Sequence, residues 1–355
     1  MRGPALALLL ALLAAPAVAQ MTEFPARQPG GPTLAIHAAT DIVAMEPLLR
    51  DFQAVAPQVR IVYREYITTD LFRRLREDCA AGRTEVDLVL SSSADQIVAL
   101  VNDGCAEGHR SAETARLPDW ARWRDEVWGF TFEPAAIVVH RDLLPAEARP
   151  TDRFALIALL RSRPEAFRGR IGTYDIEQSG IGFLFAAHDA RQSSLFGRLA
   201  EAFGRADLVT RCCSADLLGA LAEGRLLVGY NILASYAVGM RRRGAPIEII
   251  LPHDGTIVLS RAAMIPRNAP NAATAKRFVD HLVSERGQAL ARSDSFFFGM
   301  DGTLPPEVVA PADMAASGLM RPIAIGPSLL AEQDRARRQR FLDEWRRAMA
   351  PRGGD

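Results

Sequence analysis

Five short stretches place hydroxyl, amide or cationic side chains just after apolar runs. They are Thr40-Asp41, Tyr63-Arg64-Glu65-Tyr66, Ser91-Ser92-Ser93, Ser179-Gly180 and Tyr230-Asn231. If each run is a strand of an open α/β sheet, these residues lie beyond the strand's carboxyl end, where such sheets bind ligands. The first N–H groups of a following helix lack intrahelical partners and carry about half a positive charge. A carboxylate or phosphate fits there without any cationic side chain. Arg64 adds a cation that can meet an anion directly, and Asn231 and Tyr236 can hydrogen-bond the rest of a ligand. The candidate contacts are therefore Thr40, Asp41, Arg64, Ser92, Ser93, Ser179, Gly180, Asn231 and Tyr236. Plain N-capping is the competing explanation for the serines. Two such helix starts, one in each half of the chain, favour a shared cleft.

Catalytic patterns are missing. The chain has no Gly-x-Ser-x-Gly elbow, His-Glu-x-x-His, P-loop or Gly-x-Gly-x-x-Gly after its first strand. Its six histidines are scattered without ligand-like spacing, so no metal and no cofactor is expected. Lys276 is the only lysine, and Ala273 stands three residues before it, so no Ser-x-x-Lys nucleophile can be written.

The elements that must position these residues alternate. Thr33–Ala39, Val59–Tyr66 and Val86–Leu90 read as short buried strands. Between and after them, Met45/Leu48/Leu49/Phe52, Leu71/Phe72/Leu75/Cys79 and Ile97/Leu100/Val101 recur at the helical period. Ser93 with Gln96 has the capping-box spacing. The pattern restarts with strands at Arg170–Tyr174 and Leu226–Tyr230, interleaved with amphipathic helices. Pro270–Ala291 reads as one long helix and Ser328–Met349 as a charged one. Two extended crossings, near Phe132–Val139 and Leu251–Leu259, bracket the middle. They imply two α/β lobes, each a mainly parallel sheet flanked by helices, joined by paired strands able to hinge. The expected boundaries are 33–133 and 252–349 for a discontinuous first lobe with the C-terminal helices, and 134–251 for the second.

Arg2, the Ala5–Ala15 apolar run and Pro16-Ala17-Val18-Ala19 form a signal-peptide pattern over 1–19, cleaved before Gln20. That run falls short of the roughly 20 residues a membrane span needs. Gln20–Pro32 reads as a flexible leader. The mature chain is expected in the periplasm, with no lipid anchor since no Cys follows the cleavage point. Lys+Arg and Asp+Glu are both 42, so no net field favours nucleic acid. An oxidising compartment would let Cys79 and Cys105 pair, a candidate disulfide. Adjacent Cys212 and Cys213 can be buried thiols, a vicinal disulfide or part of a metal site.

From Thr33 to Ala291 the chain resembles the family 1 extracellular solute-binding proteins of ABC transporters, in the branch of ferric-binding proteins. The resemblance rests on Val86-Asp87-Leu88-Val89, Val101-Asn102-Asp103-Gly104, Gly229-Tyr230-Asn231, Leu251–Thr256 and Ala272–Gln288. The Leu-Pro-x-Asp-Gly-Thr and Tyr-Asn-x-Leu-x-Ser-Tyr stretches are similar to phosphoglycerate transport regulatory proteins. The resemblance implies a type II periplasmic-binding fold and no enzymatic activity. It also implies a monomer serving an inner-membrane ABC permease or the periplasmic domain of a sensor kinase. Ferric relatives use two adjacent tyrosines after the second-lobe strand; here Asn231–Tyr236 holds no such pair. The expected ligand is a small carboxylate or phosphorylated anion. A ferric receptor, and a secreted enzyme on a similar scaffold, are the competing readings.

Overall fold

The structure, a computed structural model, describes residues 20–314 and 316–350; the expected signal peptide lies outside them. The first lobe begins with β1 (Met21–Phe24), β2 (Thr33–Ala39), α1 (Ile42–Val55), β3 (Arg60–Glu65), α2 (Thr68–Ala80), β4 (Leu88–Ser91) and α3 (Ala94–Asn102). After α4 (Ala112–Ala115), β5 (Arg122–Trp123) and β6 (Val127–Gly129), the chain crosses into the second lobe. There it forms β7 (Glu133–His140), α5 (Arg153–Ser162), α6 (Pro164–Phe167), β8 (Ile171–Tyr174), α7 (Gly180–Gln192) and α8 (Phe196–Arg205). It continues through β9 (Val209–Arg211), α9 (Ser214–Ala222), β10 (Val228–Leu233), α10 (Ala234–Arg242) and β11 (Ile247–Ile250). β12 (Thr256–Leu259) leads back to β13 (Ala262–Met264), α11 (Ala272–Val283) and α12 (Glu285–Leu290). β14 (Val308–Val309), β15 (Met320–Pro322) and α13 (Arg335–Met349) follow.

Two sheets result, ordered β1-β3-β2-β4-β13-β6-β5 and β14-β11-β7-β10-β8-β9. Both are mixed. The parallel sets predicted by alternation, β3-β2-β4 and β10-β8-β9, form part of each sheet. Strands arriving through the crossings join antiparallel: β13 beside β4, and β7 between β10 and β11. Leu34, Ile36, Leu48, Phe52, Tyr63 and Phe278 fill the first core; Ile137, Leu156, Phe183, Phe203 and Tyr230 fill the second.

The hinge is tighter than the sequence suggested. Val258 and Leu259 pair with Pro134 and Glu133, and the Phe130 N–H donates to the Arg261 carbonyl at 3.0 Å. Both crossings therefore pass side by side within a few residues. Glu133 and Arg261, 0% and 1% exposed, join them as an ion pair at 2.7 Å.

Four expectations need correction. The leader is not a flexible segment throughout, because β1 pairs antiparallel with β3 as the outermost strand of the sheet and buries Phe24. The long Pro270–Ala291 helix is divided at Ser284, whose extended backbone starts α12 and whose hydroxyl accepts the Gly287 N–H at 3.1 Å. The tail is likewise a 3-10 segment, Pro327–Gln333, then α13, which Asp334 caps through the Arg337 N–H at 2.8 Å. Finally, the C-terminal helix belongs with the second lobe. Leu342 and Trp345 of α13 enter the second core against α8, and β14 extends the second sheet. The apolar stripe of α13 shows that it docks, but not on which lobe.

The Cys79–Cys105 bridge is present and ties the end of α2 to the loop after α3. Cys212 and Cys213 are bonded to each other, at the junction of β9 and α9. Among the described residues, no helix is long and apolar enough to cross a membrane.

Candidate functional site

Between the lobes lies a cleft of about 1090 Å³. From the first lobe come Thr40 and Asp41 after β2, Arg64, Glu65 and Tyr66 around the end of β3, Arg73 and Arg74 on α2, and Ser92 after β4. Tyr174 at the end of β8, Ser179 beyond it, Ser214 at the start of α9 and Tyr236 on α10 face them from the second lobe. Arg261 comes from the hinge. Six of the nine candidate residues thus line one space: Thr40, Asp41, Arg64, Ser92, Ser179 and Tyr236.

Arg261 anchors the cleft floor. Its guanidinium donates to Glu133 at 2.7 and 3.2 Å and to Thr40 Oγ1 at 2.9 Å, and it lies 5.2 Å from the Tyr236 ring centre. Ser235 donates to the same carboxylate, and the Thr131 hydroxyl donates to it at 2.9 Å. Arg261 is therefore charge-compensated and fixes Thr40 and Tyr236 in place.

The unspent positive charge lies on the first-lobe wall. Arg73 is engaged by Asp70 at 2.5 Å, whereas Arg64 is exposed and has no hydrogen-bond or ion-pair partner among the described residues. Arg74 stands 3.6 and 3.7 Å from Asp78 and Glu85, and its buried Nε is without a hydrogen bond. Their field reaches His37, whose ring lies tilted 5.0 Å from that of Tyr66; burial, then Arg74 and Arg64, push that imidazole down to about 4. His37 is consequently neutral at physiological pH. Asp41 and Glu65 form an acidic counterpart, and burial, then the Asp41 charge, raises the Glu65 carboxyl.

Three candidate residues stand elsewhere. Ser93 and Gly180 form the edge where the lobes touch: a Cβ on Gly180 would lie 2.4 Å from Ser93 Oγ and 2.6 Å from Gln96 Nε2. The Gly180 N–H donates to Thr68 Oγ1 and the Thr69 hydroxyl to the Gln178 carbonyl, both at 2.8 Å. The lobes are therefore closed along this edge. Asn231 points away from the cleft, donating to Asp189 at 2.9 Å inside a buried network with Arg153 and Tyr230. Its left-handed backbone, φ 57°, sits at a bulge between Gly229 and Ile232, which turns the side chain behind the sheet. A register irregularity of this kind leaves no trace in the apolar pattern.

Nor does the expected capping box form. Ser93 makes no side-chain cap, and Ser91 Oγ instead accepts the Ser93 N–H at 3.1 Å. The buried Asp95 carboxyl accepts from Gln333 at 2.5 Å through Oδ2, while its Oδ1 has no hydrogen-bond partner. Ser179 does cap α7, through the Gly182 N–H at 3.3 Å, while also facing the cleft.

Burial pushes Asp95 up to about 6. Because the folded pKa is raised, its stabilising contribution is complete below the ordinary carboxylate range and is lost as pH rises through about 6. Asp95→Asn should therefore raise stability by roughly 2–3 kcal/mol at pH 8 and change it little near pH 4. Urea unfolding at the two pH values checks this; equal effects at both would rule out ionisation as the cause.

A model of the family described as bacterial extracellular solute-binding proteins matches residues 34–296. The chain belongs to that family. The substrate-binding protein of an ABC transporter from Agrobacterium tumefaciens is 32% identical. The match covers 95% of this solute-binding protein and all of that chain, with a TM-score of 0.86. Two further structures share the fold at 16% identity, each covering 90% of this chain and all or nearly all of the other. They are iron-bound HitA from Pseudomonas aeruginosa (100% of that chain, TM-score 0.68) and fructose-6-phosphate-bound AfuA from Actinobacillus pleuropneumoniae (99%, TM-score 0.69). An uncharacterized Haemophilus influenzae protein is 39% identical over 70 residues, which span 20% of each chain.

Several cleft residues of this solute-binding protein escaped sequence reasoning. Tyr174 ends β8 and donates to or accepts from Ser214 at 2.7 Å; Arg261 ends the second crossing. Both stand at the carboxyl ends of buried strands, as the chosen residues do, so the same rule applied to β8 and β12 would have found them. Arg74 carried no such signal, being one arginine among many on an amphipathic helix.

Proposed function

We propose that this protein is a periplasmic receptor that closes by its hinge on a small carboxylate or phosphorylated solute and passes it to an ABC permease or signals to a sensor kinase. The carrying observation is a pair of arginines facing hydroxyls from the opposite lobe across one cleft: Arg64, with no side-chain partner among the described residues, and Arg74, held only by the looser ion pairs at 3.6 and 3.7 Å. A guanidinium binds phosphate or carboxylate through charge-assisted hydrogen bonds. Ser92, Ser179, Ser214 and Tyr236 suit the remaining polar groups, and Asp41 and Glu65 can accept from ligand hydroxyls. A cleft of about 1090 Å³ has the dimensions of an organic-solute site.

Ferric binding is less well served by these residues. Burial holds the Tyr174 phenol up at about 12 and that of Tyr236 higher still, against the phenolate form a hard cation prefers. No two of the chain's five tyrosines are adjacent.

Thermal-shift screening of sugar phosphates, organic acids and ferric citrate tests the reading. A solute at a hundred times its Kd should stabilise the protein by about 2.7 kcal/mol, and its uncharged analogue should not. Arg64→Ala and Arg74→Ala should each weaken binding by roughly tenfold to a hundredfold. Unchanged affinity in both would remove this wall from the site. Product formation would overturn the receptor reading, and a coloured ferric complex would replace the anion.

A further inference from the structure

The bond between Cys212 and Cys213 lies in the wall of the cleft, half-exposed, beside the Tyr174–Ser214 hydrogen bond. Asp216, one helical turn on, brings its carboxylate to 3.5 Å from the Cys212 sulfur. The two sulfurs and a carboxylate oxygen all lie within 4.8 Å of one another. Among the described residues this is the only group of three or more Cys, His, Asp or Glu side chains so arranged. We propose that Cys212, Cys213 and Asp216 form a redox-gated site for a thiophilic divalent cation on the second-lobe wall of the cleft.

The gate follows from the chemistry of sulfur. In the bonded state neither sulfur is a thiolate, and the disulfide is a poor metal ligand. A dithiol reductant donates two electrons and two protons; the S–S bond breaks, two thiols form, and the reductant leaves as its own disulfide. A bound cation then displaces both thiol protons to solvent and gains two metal–sulfur bonds and one oxygen ligand. Two soft ligands and one hard one suit zinc or cadmium better than magnesium or calcium. Access favours this bond over the other: Cys79 is half-buried and its partner Cys105 only 7% exposed, whereas Cys212 and Cys213 are both half-exposed and line the open cleft. The inference does not depend on which solute the cleft takes.

The test uses purified full-length protein, oxidised or treated with limiting dithiol reductant and then freed of it under anaerobic conditions. Alkylation and peptide mass mapping should show labels on Cys212 and Cys213 before Cys79 and Cys105. Cadmium titration, followed by sulfur-to-metal absorption and by metal analysis, should give about one tightly bound ion per chain after reduction and none before. Replacing both cysteines, Cys212→Ser with Cys213→Ser, should abolish that signal. Wild-type protein alkylated at these two positions should behave alike, which covers poor folding of the variant. Asp216→Asn should weaken cadmium binding by roughly tenfold or more. Equal binding in both redox states, a signal retained by the alkylated protein, no binding after reduction, or free thiols at both positions in the oxidised protein would each overturn the proposal.

Discussion

Arg261→Met is expected to destabilise the protein by about 3–5 kcal/mol, the usual cost of removing one partner of a buried ion pair. Glu133 is fully buried, and with Arg261 gone its carboxylate would keep only the hydroxyl donors of Thr131 and Ser235. The loss comes from that stranded charge more than from the missing attraction. The double variant Glu133→Gln/Arg261→Met should therefore recover most of the stability, since a neutral amide keeps acceptor and donor capacity without the charge. Urea unfolding of the two single variants and the double variant checks this. A double variant no more stable than Arg261→Met alone would show that packing of the arginine stem, not charge, holds the hinge. Solute binding should remain impaired in the double variant, because Thr40 and Tyr236 both lose the guanidinium that positions them.

Gly180→Val should weaken solute affinity by roughly tenfold to a hundredfold, the equivalent of the 1–3 kcal/mol that overpacking a tight contact costs. The added carbons would meet Ser93, Gln96 and Thr68 across the lobe boundary. In the unliganded protein the lobes can part to relieve the clash, so the unfolding midpoint should scarcely move. The penalty falls on closure, and small-angle scattering should show a more open molecule that solute closes less completely. Gly180→Ala should give a smaller effect of the same kind. Affinity and scattering both unchanged would mean that this edge need not close for capture. Gly180, selected from the sequence as a ligand contact, is by this account a closure contact.

Most of the first-lobe wall was legible because buried strands announce themselves and their carboxyl ends follow directly. Thr40, Asp41, Arg64 and Ser92 were found in this way, as were Ser179 and Tyr236 opposite. The three misplacements share a cause. Asn231 turned away at a bulge, and Ser93 and Gly180 met each other, because local pattern fixes which residues leave a strand end but not what then comes near them. The C-terminal helix failed likewise: its apolar stripe fits any complementary groove, and the choice of α8 depends on where β14 and β15 have carried the chain.

The amino-acid sequence by itself determined the alternating strands and helices, the two crossings and the family, since periodicity and motif order are local and survive in one dimension. It also determined that cysteines 212 and 213 adjoin. Only the tertiary structure decided that Arg261 pairs with Glu133 at the hinge, that Arg64 and Arg74 both face the cleft, and that the Cys212–Cys213 bond lies in its wall. Each of those is a placement of segments far apart in the chain, set by how two sheets are brought together and not by the residues on either side.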